Sequence, residues 1–122
     1  AFGFSAADAR MISSLAFDLL DAGQIDGAEK IFAGLLALNP KDASIRAALG
    51  AVFHKLGRIE DAEAEYEAAL AIEPKAVLAR VNRGELRLRR GDTEGVEDLK
   101  LAAGEDSPVH ERAQHLLQCF SG

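Results

Sequence analysis

The chain has 122 residues, of which 48% are apolar, 28% charged and 6% aromatic. This length fits one domain; the charged fraction excludes a membrane-embedded protein, and apolar residues spread along the whole chain exclude a disordered tail. Fourteen Lys+Arg against 20 Asp+Glu leave a net charge of −6, which argues against broad nucleic-acid binding.

The chain is punctuated at a fixed interval. Pro40, Pro74 and Pro108 are 34 residues apart, and Gly23, Gly57 and Gly91 keep the same spacing. The first helix is predicted over 6–21, with Ser5-Ala6-Ala7-Asp8 as its cap and Leu15, Ala16, Phe17, Leu19 and Leu20 on one broad face. Gly23 stands where that helix must stop, since a left-handed residue is cheapest as glycine. The second helix covers 25–38 and carries Ala28 and Phe32. The third, over 43–56, opens at Asp42 and shows an i, i+3, i+4, i+7 stripe of Leu49, Val52, Phe53 and Leu56. The fourth, over 59–72, carries Ala62, Tyr66, Ala69 and Leu70; the fifth and sixth are predicted over 76–90 and 93–104. Ser107-Pro108 reads as N-cap and first-turn proline of a seventh helix over 108–120, whose Val109, Ala113, Leu116, Leu117 and Phe120 cover the exposed end of the array. No alternating strand pattern occurs, and none flanks an Asn-Gly or Asp-Gly dipeptide as a hairpin turn would require.

A 34-residue helix–turn–helix unit with these columns resembles the tetratricopeptide repeat. The middle unit carries Arg46, Leu49, Gly50, Phe53, Ala62, Tyr66 and Pro74 in the family's columns; the first carries Ile12, Leu15, Ala16, Leu19, Ala28, Phe32 and Pro40. The third is degraded, with Arg80, Arg83, Gly84, Arg87, Val96, Lys100 and Pro108. The resemblance implies an all-α, right-handed α-solenoid of three such hairpins, over about 9–42, 43–76 and 77–107, closed by a capping helix over about 108–120 within a single domain 1–122. It also implies that the first helix of every unit lines a concave groove that binds a protein or peptide segment.

Carried over position by position, the inward columns of the family fall on Arg10, Ser13, Ser14, Phe17 and Leu20 in unit one. They fall on Ser44, Ala47, Ala48, Ala51 and His54 in unit two, and on Leu78, Val81, Asn82, Glu85 and Leu88 in unit three. Most are small or apolar, so the expected binding set is Ser13, Phe17, Leu20, Ala47, Ala51, His54, Leu78, Val81, Asn82 and Glu85. Phe17 and Leu88 fit either a groove lining or the interhelix core. Family members that hold acidic chaperone tails use a clamp of Lys, Asn and Arg; of those columns only Asn82 matches here. A narrower resemblance rests on Ser14-Leu15-Ala16-Phe17, Gly23, Ala28-Glu29-Lys30-Ile31-Phe32, Leu49-Gly50-Ala51 and the stretch from Gly84 to Asp92. It is to the small three-repeat chaperones of type III secretion translocators, which implies a cytoplasmic, non-catalytic holder of an apolar secreted segment. A generic repeat scaffold within a multiprotein complex is the alternative.

Acidic residues crowd the fourth helix (Glu60, Asp61, Glu63, Glu65, Glu67) and arginines the fifth (Arg80, Arg83, Arg87, Arg89, Arg90). Mutual neutralisation across the stack is favoured over an acidic or RNA partner, with Glu67 and Arg80 as an expected pair; the arginine segment lacks aromatics for base stacking. His115 and Cys119 share a helix face, but a structural zinc site needs four ligands and Cys119 is the only cysteine. Cys119 is expected on the buried face of the last helix. No phosphate loop, nucleophile constellation, metal site, cofactor site or signal peptide is legible, so no enzymatic activity is expected. Phe2 and Phe4 are read either as remnants of a longer N-terminus or as packing against a second copy of the chain, the latter making a homodimer a further expectation.

Overall fold

The computed structural model describes residues 5–104 and 109–120. Phe2, Phe4 and the Ser107-Pro108 cap lie outside the described residues. Within them the chain is all-α: α1 (Ala6–Asp21), α2 (Ile25–Leu38), α3 (Ala43–Lys55), α4 (Ile59–Ile72), α5 (Val77–Arg89), α6 (Gly95–Ala103) and α7 (His110–Phe120). Each helix packs on its neighbours in sequence, and α3 also touches α5, and α5 touches α7. This is the stacked-hairpin solenoid that the 34-residue period predicts.

Local chemistry sets the helix ends. Ser5 and Asp8 form a reciprocal capping box, the Ser5 side chain accepting from the Asp8 N–H and the Asp8 carboxylate accepting from the Ser5 N–H. The Asp42 carboxylate accepts from the Ile45 N–H at the start of α3. Gly23, Gly57 and Gly91 adopt φ of 82°, 79° and 86°, the left-handed conformation that ends α1, α3 and α5. At α6 the start is delayed from 93 to Gly95. The Asp92 carboxylate accepts from the Glu94 N–H, and one tight turn of i→i+3 bonds follows, from Gly95 N–H to Asp92 O and from Val96 N–H to Thr93 O. The delay changes which residue faces inward. Phe32 and Tyr66 are fully buried, whereas Lys100 in the same column points to solvent and Leu99 is buried in its place.

The core is a chain of adjoining clusters. Ala16, Leu20, Phe32, Leu35, Ile45, Leu49 and Val52 join α1, α2 and α3. Ala47, Ala69 and Ala79 join α3, α4 and α5, as do Ala62, Tyr66 and Leu86 through the hairpin beside them. Val81, Leu99, Ala102, Ala113 and Leu116 join α5, α6 and α7. That last cluster ends with Leu116 and Leu117, so Cys119 in the final turn is exposed, contrary to the buried position expected for it. Leu15 also departs from the expected apolar face, remaining 55% exposed.

Close approach inside the hairpins depends on missing side chains. A Cβ on Gly50 would stand 2.5 Å from Cε1 of the fully buried Tyr66, and one on Gly84 would stand 3.0 Å from the Gly95 carbonyl oxygen. The third unit uses charge where the others use apolar packing. Asp98, 3% exposed, accepts from Arg83 at 2.6 and 3.0 Å and from Arg87 at 3.2 Å. Glu63 accepts from Arg87 and Arg90, and Glu65 from Arg46, so neighbouring helices do neutralise each other. The expected Glu67–Arg80 pair does not form: Glu67 meets Arg87, while Arg80 donates to the Pro74 carbonyl.

Replacing Gly50 with alanine is expected to lower unfolding stability by about 1–2 kcal/mol despite the better helix propensity of alanine, because the Tyr66 ring cannot withdraw; urea titration measures this. Burial tends to push the Glu63 carboxyl up, but its hydrogen bonds from Arg90 and Arg87 hold it below the ordinary 4.5. The stability it contributes is therefore present above 4.5 and lost as pH falls through its lower folded value. Glu63→Gln is expected to flatten the loss of melting temperature over that acid range and to leave the slope at neutral pH unchanged.

Candidate functional site

Of the helices that open each hairpin, α3 packs against α5 and α5 against α7, and α1 joins α3 through the first core cluster. The inward columns of the repeat therefore share one face. The structure divides the expected residues by accessibility. Ala47 and Val81 are 1% and 0% exposed and lie in the interhelix layers, Ala47 against Ala69 and Ala79 and Val81 against Leu99 and Ala113. Leu20, 6% exposed, packs in the first cluster with Phe32. These three side chains serve the core.

Ser13, Phe17, Ala51, His54, Leu78 and Glu85 keep accessible surface. Phe17 stands edge-on to Phe32, with ring centroids 5.0 Å apart, and remains 36% exposed. It serves both the core and the open surface. Ser13, Arg10 and Ser44 border a groove of about 1120 Å³ at the first end of the stack, floored by Ile12, Leu35 and Ile45. Ala51 is the one inward alanine of α3 that still meets solvent, Ala47 and Ala48 being buried. Ala51 is thus a small accessible side chain in the column that carries Phe17 on α1 and Glu85 on α5.

The second end is polar. Asn82, 7% exposed, accepts a hydrogen bond from Arg112 of α7 at 2.9 Å. Glu85 accepts from Arg89 at 3.0 and 3.1 Å and also from Arg112. Burial tends to raise the Glu85 carboxyl, yet the guanidinium bonds hold it below the usual carboxylate range. His54 sits beside this cluster. Burial lowers its imidazole below 6.5 against the attraction of Glu85, and Arg89, Lys55 and Arg112 push it the same way. Column logic applied to three units misses Arg112. The signal is present one period further on: Arg10, Ser44, Leu78 and Arg112 are each 34 residues apart, so α7 continues the register of the opening helices.

Beyond this face, His115 Nε2 stands 3.6 Å from the exposed Cys119 Sγ. Among the described residues no group of three His, Cys, Asp or Glu side chains converges as a metal site. No described helix is long and apolar enough to cross a membrane.

The pattern of the tetratricopeptide repeat family matches residues 19–81, slightly more than half of the chain. No curated protein matches it. Among solved structures, the type III secretion translocator chaperone SycD of Yersinia enterocolitica is similar with a TM-score of 0.82 at 24% identity, over 94% of this chain and 91% of that one. PcrH from Pseudomonas aeruginosa is similar with a TM-score of 0.80 at 28% identity, over 98% of this chain and 96% of that one. The first TPR of Spaghetti, bound to an HSP90 peptide, reaches a TM-score of 0.84 at 17% identity, over 97% of this chain and 96% of that one. The repeat register, the left-handed glycines at 34-residue spacing, the stacked hairpins and the family pattern agree: this chain belongs to the tetratricopeptide repeat family.

Proposed function

We propose that this protein binds an apolar segment of another protein along the face of α1, α3 and α5, and serves in the cytoplasm as a chaperone of the type III secretion translocator class. The observation that carries the reading is Ala51, a small accessible side chain in the same column as the 36% exposed ring of Phe17. An extended segment fits such a surface through alternate apolar side chains and backbone hydrogen bonds. The chaperone class is supported by the likeness to PcrH, which has been solved with the chaperone binding regions of PopD and PopB, and to SycD, solved with a peptide of YopD. A chaperone and a repeat scaffold differ in partner: an unfolded apolar segment for the first, a folded complex member for the second.

A homodimer forms part of the same proposal. Met11 and Leu15 are 60% and 55% exposed, whereas Ile45 and Leu49, one period later, are 7% and 6% exposed because α2 covers them. Among the described residues the outer face of α1 is thus an uncovered copy of a surface that elsewhere is core. A second copy presenting its own α1 would cover it reciprocally, as a two-fold interface requires. SycD has itself been solved as an alternative dimer.

Fluorescence anisotropy with the translocator regions of PopD, PopB and YopD as synthetic peptides tests the groove. Binding of at least one is expected, with Ala51→Glu weakening it by about tenfold or more, since a charge would be buried without a partner. Melting should change little; unfolding of the variant would make Ala51 a core residue, and absence of binding by all three peptides removes the chaperone class. For the dimer, sedimentation equilibrium is expected to show two copies for the wild type and one for Leu15→Glu at equal helicity. A wild-type monomer at tens of micromolar would overturn that part.

A further inference from the structure

Two groups of arginines stand out in this chain. Arg83, Arg87, Arg90 and Arg46 are matched by Asp98, Glu63 and Glu65 on the closing helices of the hairpins, and their charge is consumed in the stack. Arg89 and Arg112 differ. They come from two opening-register helices, converge on the inward face and share a single carboxylate, Glu85. Among the described residues, two cations on one anion leave a surplus positive charge there, in a chain whose net charge is −6.

Geometry makes that surplus available. The Glu85 side chain is only 16% exposed, while Arg89 and Arg112 are 58% and 43% exposed, so the anion is covered and the cations stand over it. Arg89 uses Nε and Nη2 on the same Glu85 oxygen. Arg112 uses Nη1 on Asn82 and Nη2 on Glu85, so both guanidiniums are held in fixed orientation with a third nitrogen outside these bonds. His54, on the adjoining helix, is held below its ordinary value first by burial and then by Arg89, Lys55 and Arg112, against the attraction of Glu85. A preorganised pair of guanidiniums is the usual complement of a carboxylate.

We propose that Arg89 and Arg112, held by Glu85 and Asn82, form a cationic station at the α5–α7 end of the concave face that takes an aspartate or glutamate side chain of the bound segment. The station rests on the groove reading given above and adds a polarity to it: apolar residues lie over Ala51 and an acid follows toward α7. It also gives α7 a recognition role, because Arg112 continues the inward column of Arg10, Ser44 and Leu78.

The test uses the full chain and a peptide from the preceding anisotropy experiment that binds, C-terminally amidated so that only side chains supply carboxylates. Each position is replaced in turn by Glu and by Gln. One position, or two neighbouring ones, should favour Glu over Gln by about two- to fivefold at low salt, the preference vanishing at high salt and in Arg89→Gln/Arg112→Gln. Arg89→Gln alone, at an exposed side chain, should halve the preference and serves as the reading if the double variant unfolds. Binding without a Glu preference at any position, or a preference that survives both variants, overturns the station and leaves the groove standing. Absence of binding by every peptide removes the groove, and the station with it.

Discussion

The distance between neighbouring helices is the constraint on which the molecule depends. At Gly50 the Tyr66 ring occupies the volume that a side chain would need, and at Gly84 the partner is backbone, the Gly95 carbonyl. Van der Waals contact of this kind is short-ranged, so an added methyl group would separate the helices and loosen every contact along the hairpin. The hairpins are thus locked pairs, and stacking them presents their opening helices as one continuous face.

The third hairpin reaches the same geometry by different chemistry. The family's apolar columns hold Arg83 and Arg87, and Asp98 lies between them, almost fully buried, with three hydrogen bonds. Such a cluster offsets the cost of desolvating its charges only because every member is bonded. It ties α5 to α6 with direction as well as proximity, and it leaves the arginines of α5 split between structure on one side and the open face on the other.

Much of this was legible in the residues. Two punctuating residue types at one interval placed the helices, and Ser5, Asp42 and the three left-handed glycines marked their ends. Orientation within a helix was harder to read. The Asp92–Glu94 turn delays α6 and moves burial from Lys100 to Leu99, a side-chain effect that no hydrophobic period encodes. Ala47 and Val81 follow the inward columns yet lie in interhelix layers, because columns give direction on one helix and not the nearness of the next. Arg112 lies beyond the three units that the prolines delimit, although the period runs on into α7.

Nearly all packing in this molecule joins elements that are neighbours along the chain, α1 with α2, α2 with α3, and onward to α7. Contact order is accordingly low, so loop-closure entropy places only a small barrier before folding. Order can spread from any hairpin to the next, and the terminal elements, each with a neighbour on one side only, open before the middle. Amide hydrogens should therefore exchange slowest around Val52 and Tyr66 and fastest toward both termini. A graded molecule of this sort can loosen at one end while its centre keeps its shape.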